Sequence, residues 1–434
     1  MKALIKQTEE ALDKFKQAGL DSTEIAVSHS VKNEMNIDAG ELSLYRSTTN
    51  VNMAVKALKN KRKGSGRTNN LSDASIEKLA QEVSDMASAN EVDDANDIAP
   101  MQNPESIVFG QTAPDNNAMY DRMHEFNSYA KSKYPNLQLI LCVLDFTTNK
   151  QVFVNSNGVR FDETQGIYSF TTQFAAKDGD KSSSFNYVGV TSPDLEKPLK
   201  DWGNIDEMLR QICEQTETKQ VQSSFVGDII LSPQTAYFFI ENLLYSFTTE
   251  SPLITGTSIW KDKLNEQVLS PELTIRCEPS RPSQLKCGHS LFTSDGFRAE
   301  NETIIENGVL KNFAIGQYGA NKTGFNRSVS GMNGMFIQAG DKPKESLVKS
   351  VKKGILLGRF SGGQPAANGD FSGVAKNSYL IENGNITTPI SETMIAGNLV
   401  SILNQVRGVS KDRVDYGYTL SPWIHVSGAT ISGN

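Results

Sequence analysis

The sequence contains one His-Glu pair, His124-Glu125, and such a pair on a helix can begin a zinc-binding motif. Apolar spacing predicts a helix from Met119 to Tyr129 that carries this pair, but Ser128 stands where a zincin has its second histidine. A lone histidine on a helix more often faces solvent or the core than a metal. We therefore expect no metal site at this pair.

The remaining histidines and the cysteines do not form a metal-binding pattern. Cys277, Cys287 and His289 are close in sequence, but their spacing matches no C-x2-C or H-x3-H template. His29 and His425 stand alone in strand-like segments, where we expect them to be structural. In a long chain without a secretion signal, the four cysteines are interpreted as reduced core residues rather than a disulfide framework.

Serines in glycine-rich or turn-like segments are candidate nucleophiles, namely Ser361, Ser372 and Ser391. The sequence has no G-x-S-x-G elbow, and no histidine lies in a motif that would mark it as their base. The segment 361–365 lacks the P-loop pattern and follows a predicted helix, so nucleotide binding is not expected. Its glycines favour close backbone approach to an extended peptide, as in strand addition, or simply tight turns.

The overall composition sets limits on partners and location. Hydrophobic residues make up 38% of the 434 residues and charged residues 21%, which is typical of a globular protein. The formal charge of -7 argues against a surface that neutralises phosphate, so we expect no nucleic-acid partner. No apolar run approaches the roughly 20 residues needed to cross a bilayer, and the N-terminus lacks a signal-peptide core. These features predict a cytoplasmic protein without membrane contact.

Element patterns predict an α+β fold in two domains. Apolar residues at helical spacing alternate with strand-like runs, without the regular βαβ rhythm of a parallel sheet. We expect an N-terminal domain of helices and antiparallel sheet over residues 1–200. A connecting helix and linker over residues 201–225 should lead to a β-rich, glycine-rich C-terminal domain over residues 226–434.

Two segments of the C-terminal half share a strand, Asn-Gly turn, strand pattern: residues 304–310 and 380–386. Asn-Gly is strongly favoured in type I′ turns, so the repeat reflects either an old duplication or convergence. The second copy lies in a longer motif, in which a glycine-rich segment at 369–373 precedes it and Ile395-Ala396-Gly397-Asn398 follows it.

This C-terminal motif resembles that of the TldD/PmbA family, also called modulators of DNA gyrase and associated with a cytoplasmic metallopeptidase. Further similar segments follow in the family's order, at residues 18–21, 69–72, 296–299, 306–310 and 321–324. In the catalytic branch, the resemblance implies a helix with His-Glu-x-x-x-His and a third cysteine ligand near the C-terminus. Here Ile240 and Tyr245 stand at the histidine positions, Glu241 stands at the glutamate position, and no cysteine follows Cys287.

The resemblance therefore implies a PmbA/TldE-like subunit that holds no metal or other cofactor itself and pairs with a zinc-bearing, TldD-like paralogue. Such a pair would cleave unstructured or small peptides, as in peptide maturation and antitoxin turnover. We expect Glu241 to lie at the catalytic site. Substrate backbone should be bound by residues of the glycine-rich segment, namely Gly362, Gly363, Gln364, Asp370 and Phe371. Alternatives are a stand-alone homodimeric hydrolase with a divergent site and a non-catalytic binding protein that regulates gyrase or a toxin system.

Overall fold

The structure is a computed structural model that describes residues 1–433. Strands account for 42% of the chain and helices for 24%, and most strand pairs are antiparallel. Helices and antiparallel strands are interleaved in the N-terminal half, and short strands dominate the C-terminal half. The predicted α+β class is confirmed.

The N-terminal part forms one eight-stranded sheet with helices packed on it. Its elements are α1 (Lys2–Gln17), β1 (Ser22–Asp38), β2 (Glu41–Lys59), β3 (Arg62–Thr68), α2 (Asp73–Ala89), β4 (Glu105–Gly110), α3 (Asn116–Lys133), β5 (Leu137–Asn155), β6 (Arg160–Asp178), β7 (Lys181–Ser182) and β8 (Asn186–Ser192). The main strand order is β3-β2-β1-β5-β6-β4, and β7 and β8 also pair with β6. Only β4 runs parallel to its neighbour. Helices α1 and α2 pack against β1 and β2 through side chains such as Phe15 and Val83.

The C-terminal part contains a nine-stranded sheet and a four-stranded sheet. Its elements are α4 (Ile205–Glu214), β9 (Phe225–Leu231), α5 (Pro233–Thr248), α6 (Glu250–Ile254), β10 (Ile275–Cys277), β11 (Glu302–Glu306), β12 (Val309–Leu310), α7 (Gln317–Thr323), β13 (Met335–Ile337), α8 (Lys344–Ser350), β14 (Lys353–Leu357), β15 (Arg359–Gly362), β16 (Asp370–Lys376), β17 (Ser378–Glu382), β18 (Asn385–Ile390), β19 (Thr393–Asn398), α9 (Leu399–Asn404), β20 (Val406–Asp415) and β21 (Leu420–Gly433). The larger sheet has the order β15-β16-β19-β21-β9-β14-β17-β18, with β20 on β21, and the smaller has β12-β11-β10-β13.

Strand β9 shows how the nine-stranded sheet separates two cores. Ile229 and Leu231 share a core with Phe239 of α5 and Ile275 of the four-stranded sheet. Ile230, which points to the other face as alternation in a strand requires, shares a core with α3, α4, α8 and the N-terminal sheet. Helix α5 is therefore buried between the two C-terminal sheets. No helix within residues 1–433 combines the length and apolar character needed to span a bilayer.

Both predicted Asn-Gly hairpins are present. Asn307 and Gly308 join β11 to β12 with φ angles of 47° and 76°, and Asn383 and Gly384 join β17 to β18 with 48° and 77°. Positive φ at both central residues is what a type I′ turn requires. The two hairpins lie in different sheets.

The strands of the N-terminal sheet end at Ser192, and those of the C-terminal sheets begin at Phe225. Helix α4 lies between these points and packs in the core that the two parts share. The domain boundaries proposed at residues 200 and 226 stay a prediction.

Candidate functional site

Helix α5 carries the residues at the positions of the His-Glu-x-x-x-His motif that the resemblance implies for the catalytic branch. Ser232 caps its N-terminus, with Oγ accepting a hydrogen bond from the Thr235 amide at 3.3 Å, and Pro233 occupies the first turn. Both residue types favour a helix start at these positions. Because α5 is packed between two sheets, the orientation of Ile240 and Glu241 is fixed by the surrounding core.

The two positions that correspond to the histidines of the catalytic branch lie in different environments. Ile240 is 0% exposed in the core, whereas Tyr245 is 58% exposed. Residues five apart on an α-helix are rotated by about 140° relative to each other, so this separation follows from the helix geometry. An isoleucine has no donor atom, and a neutral tyrosine is a poor substitute for imidazole, so these residues do not fit a zinc ion. Within residues 1–433, no group of three or more His, Cys, Asp and Glu side chains is arranged to hold a metal.

Glu241 belongs to a small cluster of phenols and a carboxylate. The Tyr237 hydroxyl donates a hydrogen bond to Glu241 Oε1 at 3.1 Å, and the Tyr237 and Tyr418 rings meet edge to face at 6.2 Å. Burial raises the pKa of both tyrosines, and the nearby Glu241 charge raises each pKa further, so both phenols stay protonated donors at neutral pH. Tyr237 and Tyr418 also line a cavity of about 40 Å³ with Gln234. This arrangement places two protonated phenols near one carboxylate.

Sequence reasoning singled out Glu241, whose role at the site stays a prediction, but missed its phenolic partners. Tyr418 is far from α5 along the chain, in the turn between β20 and β21, and only the fold brings the two together. Tyr237 lies one helical turn before Glu241, a spacing that could have indicated the contact.

The glycine-rich segment forms an edge hairpin of the nine-stranded sheet. Gly362 ends β15, the terminal strand in the sheet order, and Gly363 and Gln364 are exposed in the loop that leads to β16. The expectation that a helix directly precedes this segment was wrong, because strands β14 and β15 stand there. An ideal Cβ on Gly362 would lie 2.5 Å from the Phe360 ring, whereas Gly363 has open space. Gly362 is thus required by packing, while Gly363 is free of that constraint.

Asp370 and Phe371, which follow at the start of β16, point in different directions. Asp370 is exposed, and it accepts hydrogen bonds from the side chains of Asn398 at 2.9 Å and Asn368 at 2.7 Å, which lower its pKa. Phe371 is 5% exposed and packs against Phe239 of α5, with ring centroids 5.1 Å apart. The structure therefore places four of the five predicted substrate-binding residues on the edge hairpin, and the fifth in the core beneath it.

A second cluster was not identified from the sequence. His425 Nδ1 lies 3.1 Å from Ser350 Oγ, and its Nε2 lies 3.6 Å from Asp228 Oδ1. These side chains line a cavity of about 510 Å³ together with Lys342 and Arg407. Burial lowers the pKa of His425, and the two cations add to this effect, so the imidazole is neutral at pH 7. The cluster lies across the nine-stranded sheet from α5, because His425 and Ile230 are paired neighbours on that face.

The other candidate residues from the sequence contact ordinary structural neighbours. Glu125 pairs with Arg122 at 2.7 Å, and His124 stacks on Tyr120. Burial raises the pKa of Cys277 to about 12 and that of Cys287 to about 11, so both thiols are protonated at neutral pH.

Two family models match the chain: PmbA/TldA metallopeptidase domain 1 over residues 23–87 and the PmbA/TldA metallopeptidase C-terminal domain over residues 224–433. The similarity to curated proteins extends over nearly the full length. A metalloprotease of Methanocaldococcus jannaschii is 24% identical over 437 residues, covering 94% of each chain. The metalloprotease PmbA of Escherichia coli O157:H7 is 25% identical, covering 94% of this chain and 92% of that protein. The chain belongs to the PmbA/TldD family.

Solved structures show the same fold. TldE from Thermococcus kodakarensis matches with a TM-score of 0.79 and 18% identity, covering 98% of this chain and 100% of that chain. A protein from Bacteroides thetaiotaomicron described as a candidate modulator of DNA gyrase matches with a TM-score of 0.85 and 22% identity, covering 99% and 98%.

Proposed function

We propose that this chain is a metal-free, PmbA/TldE-like subunit of a cytoplasmic peptidase in which a TldD-like paralogue holds the zinc. The observation that carries the proposal is the chemistry of α5: a fully buried Ile240 and an exposed Tyr245 stand where the family resemblance implies histidine ligands. The full-length likeness to PmbA of Escherichia coli supports the assignment to this branch. The substrate class we propose is unstructured or small peptides.

In this proposal the chain contributes a wall of the substrate chamber. Strand β15 is at the edge of its sheet, where backbone groups can pair with an extended peptide regardless of its sequence. Phe371 and Phe360 pack beneath this edge and against Phe239 of α5, so the hairpin and the helix form one rigid unit. Glu241 is the residue of this chain that we place nearest to the reaction.

The proposal is tested by mixing the purified chain with a partner that carries His-Glu-x-x-x-His. We expect neither protein alone, but the two together, to hydrolyse an unstructured reporter peptide. A partner with both motif histidines replaced by alanine is the control and should restore nothing. Failure of the two proteins to associate, or hydrolysis by this chain alone, would overturn the proposal.

Glu241→Gln tests the role of the carboxylate within the pair. Glutamine keeps an oxygen that can accept from Tyr237 but removes the negative charge. Hydrogen bonds to charged groups contribute about 1.5–3 kcal/mol and neutral ones about 0.5–1.5 kcal/mol, so we expect hydrolysis by the pair to fall about tenfold. Glu10→Gln, an exposed glutamate on α1, is the matched control and should leave the rate unchanged. Equal rates for Glu241→Gln and the wild type would remove Glu241 from the site.

A second candidate, a stand-alone hydrolase, is favoured by the Ser350, His425 and Asp228 cluster. A neutral imidazole within 3.1 Å of an exposed serine hydroxyl is the arrangement that general-base activation needs. Against it, Ser350 Oγ also donates to the Leu347 carbonyl at 2.6 Å, so its proton has another acceptor. We therefore rank this function second.

A fluorophosphonate probe that labels activated serines separates the two candidates. If the chain is a serine hydrolase, the probe labels it in the presence of a chelator, and Ser350→Ala abolishes labelling. Ser346→Ala, at a serine lining the same cavity, is the matched control and should keep it. Our leading proposal expects no labelling of the wild type.

A further inference from the structure

A cavity of about 1190 Å³ lies between the N-terminal and C-terminal parts of the molecule. One wall is the segment 90–97 after α2, and the opposite wall includes α6, α7 and the loop at Asp295. Tyr318 donates a hydrogen bond to Asp93 at 2.9 Å, and Asn321 donates to the Ala95 carbonyl at 2.9 Å. These hydrogen bonds connect the two walls directly, so specific contacts within the fold define the shape of the cleft.

Acidic side chains dominate the lining. Seven carboxylates face three lysines: Glu24, Glu91, Asp93, Asp94, Asp97, Glu250 and Asp295 against Lys56, Lys63 and Lys322. Some carboxylates are engaged by the protein, since Glu250 accepts from the Gly319 amide and Asp295 from the Gln317 amide, each at 2.8 Å. In the part of the chain that the structure describes, Glu91 and Asp94 make no ion pair or side-chain hydrogen bond. Clefts lined by one sign of charge concentrate ligands of the opposite sign.

Glu24 is a buried carboxylate of this cleft, and one of its oxygens can still accept a hydrogen bond. It is 7% exposed, and its Oε1 accepts from Lys56 Nζ at 2.9 Å. Within residues 1–433 its Oε2 is buried without any hydrogen-bond partner. Burial raises the pKa of Glu24 to about 7; Lys56 and Lys63 lower it, and Asp295 raises it. A buried carboxylate oxygen without a donor is costly, and a cationic ligand group would supply the missing donor.

We propose that this cleft binds the lysine- or arginine-bearing segments of peptides, with Glu24 as the acceptor at its base and Asp94 and Glu91 at its rim. This inference takes one point from the proposed function, namely that the ligand is a peptide. An ammonium or guanidinium group fits the charge of the lining, and the volume exceeds that of a single side chain. Anionic peptides would be repelled by the same carboxylates.

Binding should be linked to a proton on Glu24. A cationic ligand favours the ionised carboxylate, so affinity for a basic peptide rises as pH increases through about 7 and levels off above it. Lys56, Lys63 and Asp295 are the charged groups that face the same carboxylate. Glu24→Gln removes the proton exchange and should remove this pH dependence.

The test is fluorescence anisotropy with the intact chain alone and two labelled flexible peptides, one rich in lysine and one rich in glutamate. We expect the basic peptide to bind about tenfold tighter, a difference equivalent to ~1.4 kcal/mol. Its affinity should fall between about 0.05 M and about 0.5 M salt. Asp94→Asn should weaken it, whereas Asp121→Asn, at an exposed acid on α3, should not.

Equal binding of the two peptides, or equal effects of Asp94→Asn and Asp121→Asn, would overturn the inference. So would a pH dependence that persists in a folded Glu24→Gln variant. Because the assay needs no partner and measures no hydrolysis, its outcome is separate from that of the reconstitution experiment above. A chain that binds basic peptides but restores no hydrolysis would retain this inference and lose the proposed function.

Discussion

At the scale of single residues, positions 240 and 245 differ in what they contribute. Ile240 fills a core position between two sheets, and Tyr245 projects from the same helix into solvent. Each side chain therefore suits its surroundings: Ile240 serves the packing of the core, and Tyr245 serves the surface of the helix.

Alanine substitutions test this contrast. Ile240→Ala should lower the free energy of unfolding by about 2–5 kcal/mol, because it leaves a cavity in a close-packed core. Tyr245→Ala, the matched control on the same helix, should change it by no more than about 0.5 kcal/mol. Urea denaturation measures both. A large loss at position 245 with none at 240 would mean that α5 is rotated from the orientation described.

Glu24 makes stability depend on pH in a direction that can be stated. Its pKa is raised from 4.5 to about 7 on folding, so the folded protein holds a proton that the unfolded chain has lost. Stability is therefore greatest below about pH 4.5 with respect to this group and declines as pH rises through about 7. The decline should amount to about 3–4 kcal/mol, since each unit of pKa difference is worth about 1.4 kcal/mol.

The measurement is the difference in unfolding free energy between wild type and Glu24→Gln across this pH range. The difference removes the contributions of other titrating groups. A difference that is constant with pH would contradict the raised pKa.

The sequence could single out positions 240, 241 and 245 because a family motif marks them, and the catalytic role of Glu241 stays a prediction. The sequence could not indicate the contact between His425 and Ser350, or the acidic cleft around Glu24. These groups come from different strands and helices, and no local pattern records that the fold brings them together. His425 in particular has the sequence context of an ordinary strand residue.

At the scale of elements, local chemistry was the best guide. The Asn-Gly turns were predictable because few residue pairs accept two positive φ angles. Helices α1 and α2 were predictable from apolar residues at helical spacing. The full length of β2 was not: residues 41–50 are all exposed and are held as a strand by pairing with β1, which itself pairs with β5 on its other side.

Gly308 and Gly363 differ in whether the structure requires a glycine at that position. Gly308→Ala should be destabilising by about 1–3 kcal/mol, since φ is positive and an added Cβ would lie 2.1 Å from the Leu269 carbonyl oxygen. Gly363→Ala, on the edge hairpin, meets open space and should be nearly neutral. Thermal unfolding measures both, and equal losses would contradict the packing described.

At the scale of the whole molecule, the nine-stranded sheet organises the proposed activities. Helix α5 packs on one face of this sheet and the His425 cluster lies on the other, while β15 and β16 of the edge hairpin form one end of it. The acidic cleft lies where the two parts of the chain meet. The net charge of -7 fits partners that are basic, and part of that charge is concentrated in the cleft. This distribution is compatible with the basic peptides that we propose as ligands of the cleft.

The central claim is that this chain holds no zinc and depends on a partner polypeptide that does. The most direct measurement is zinc content by elemental analysis of the chain purified alone and of its complex with a His-Glu-x-x-x-His partner. We expect a negligible amount in the chain alone and a single zinc per complex, held by the partner. Stoichiometric zinc in the chain alone, retained after dialysis against a weak chelator, would contradict the account.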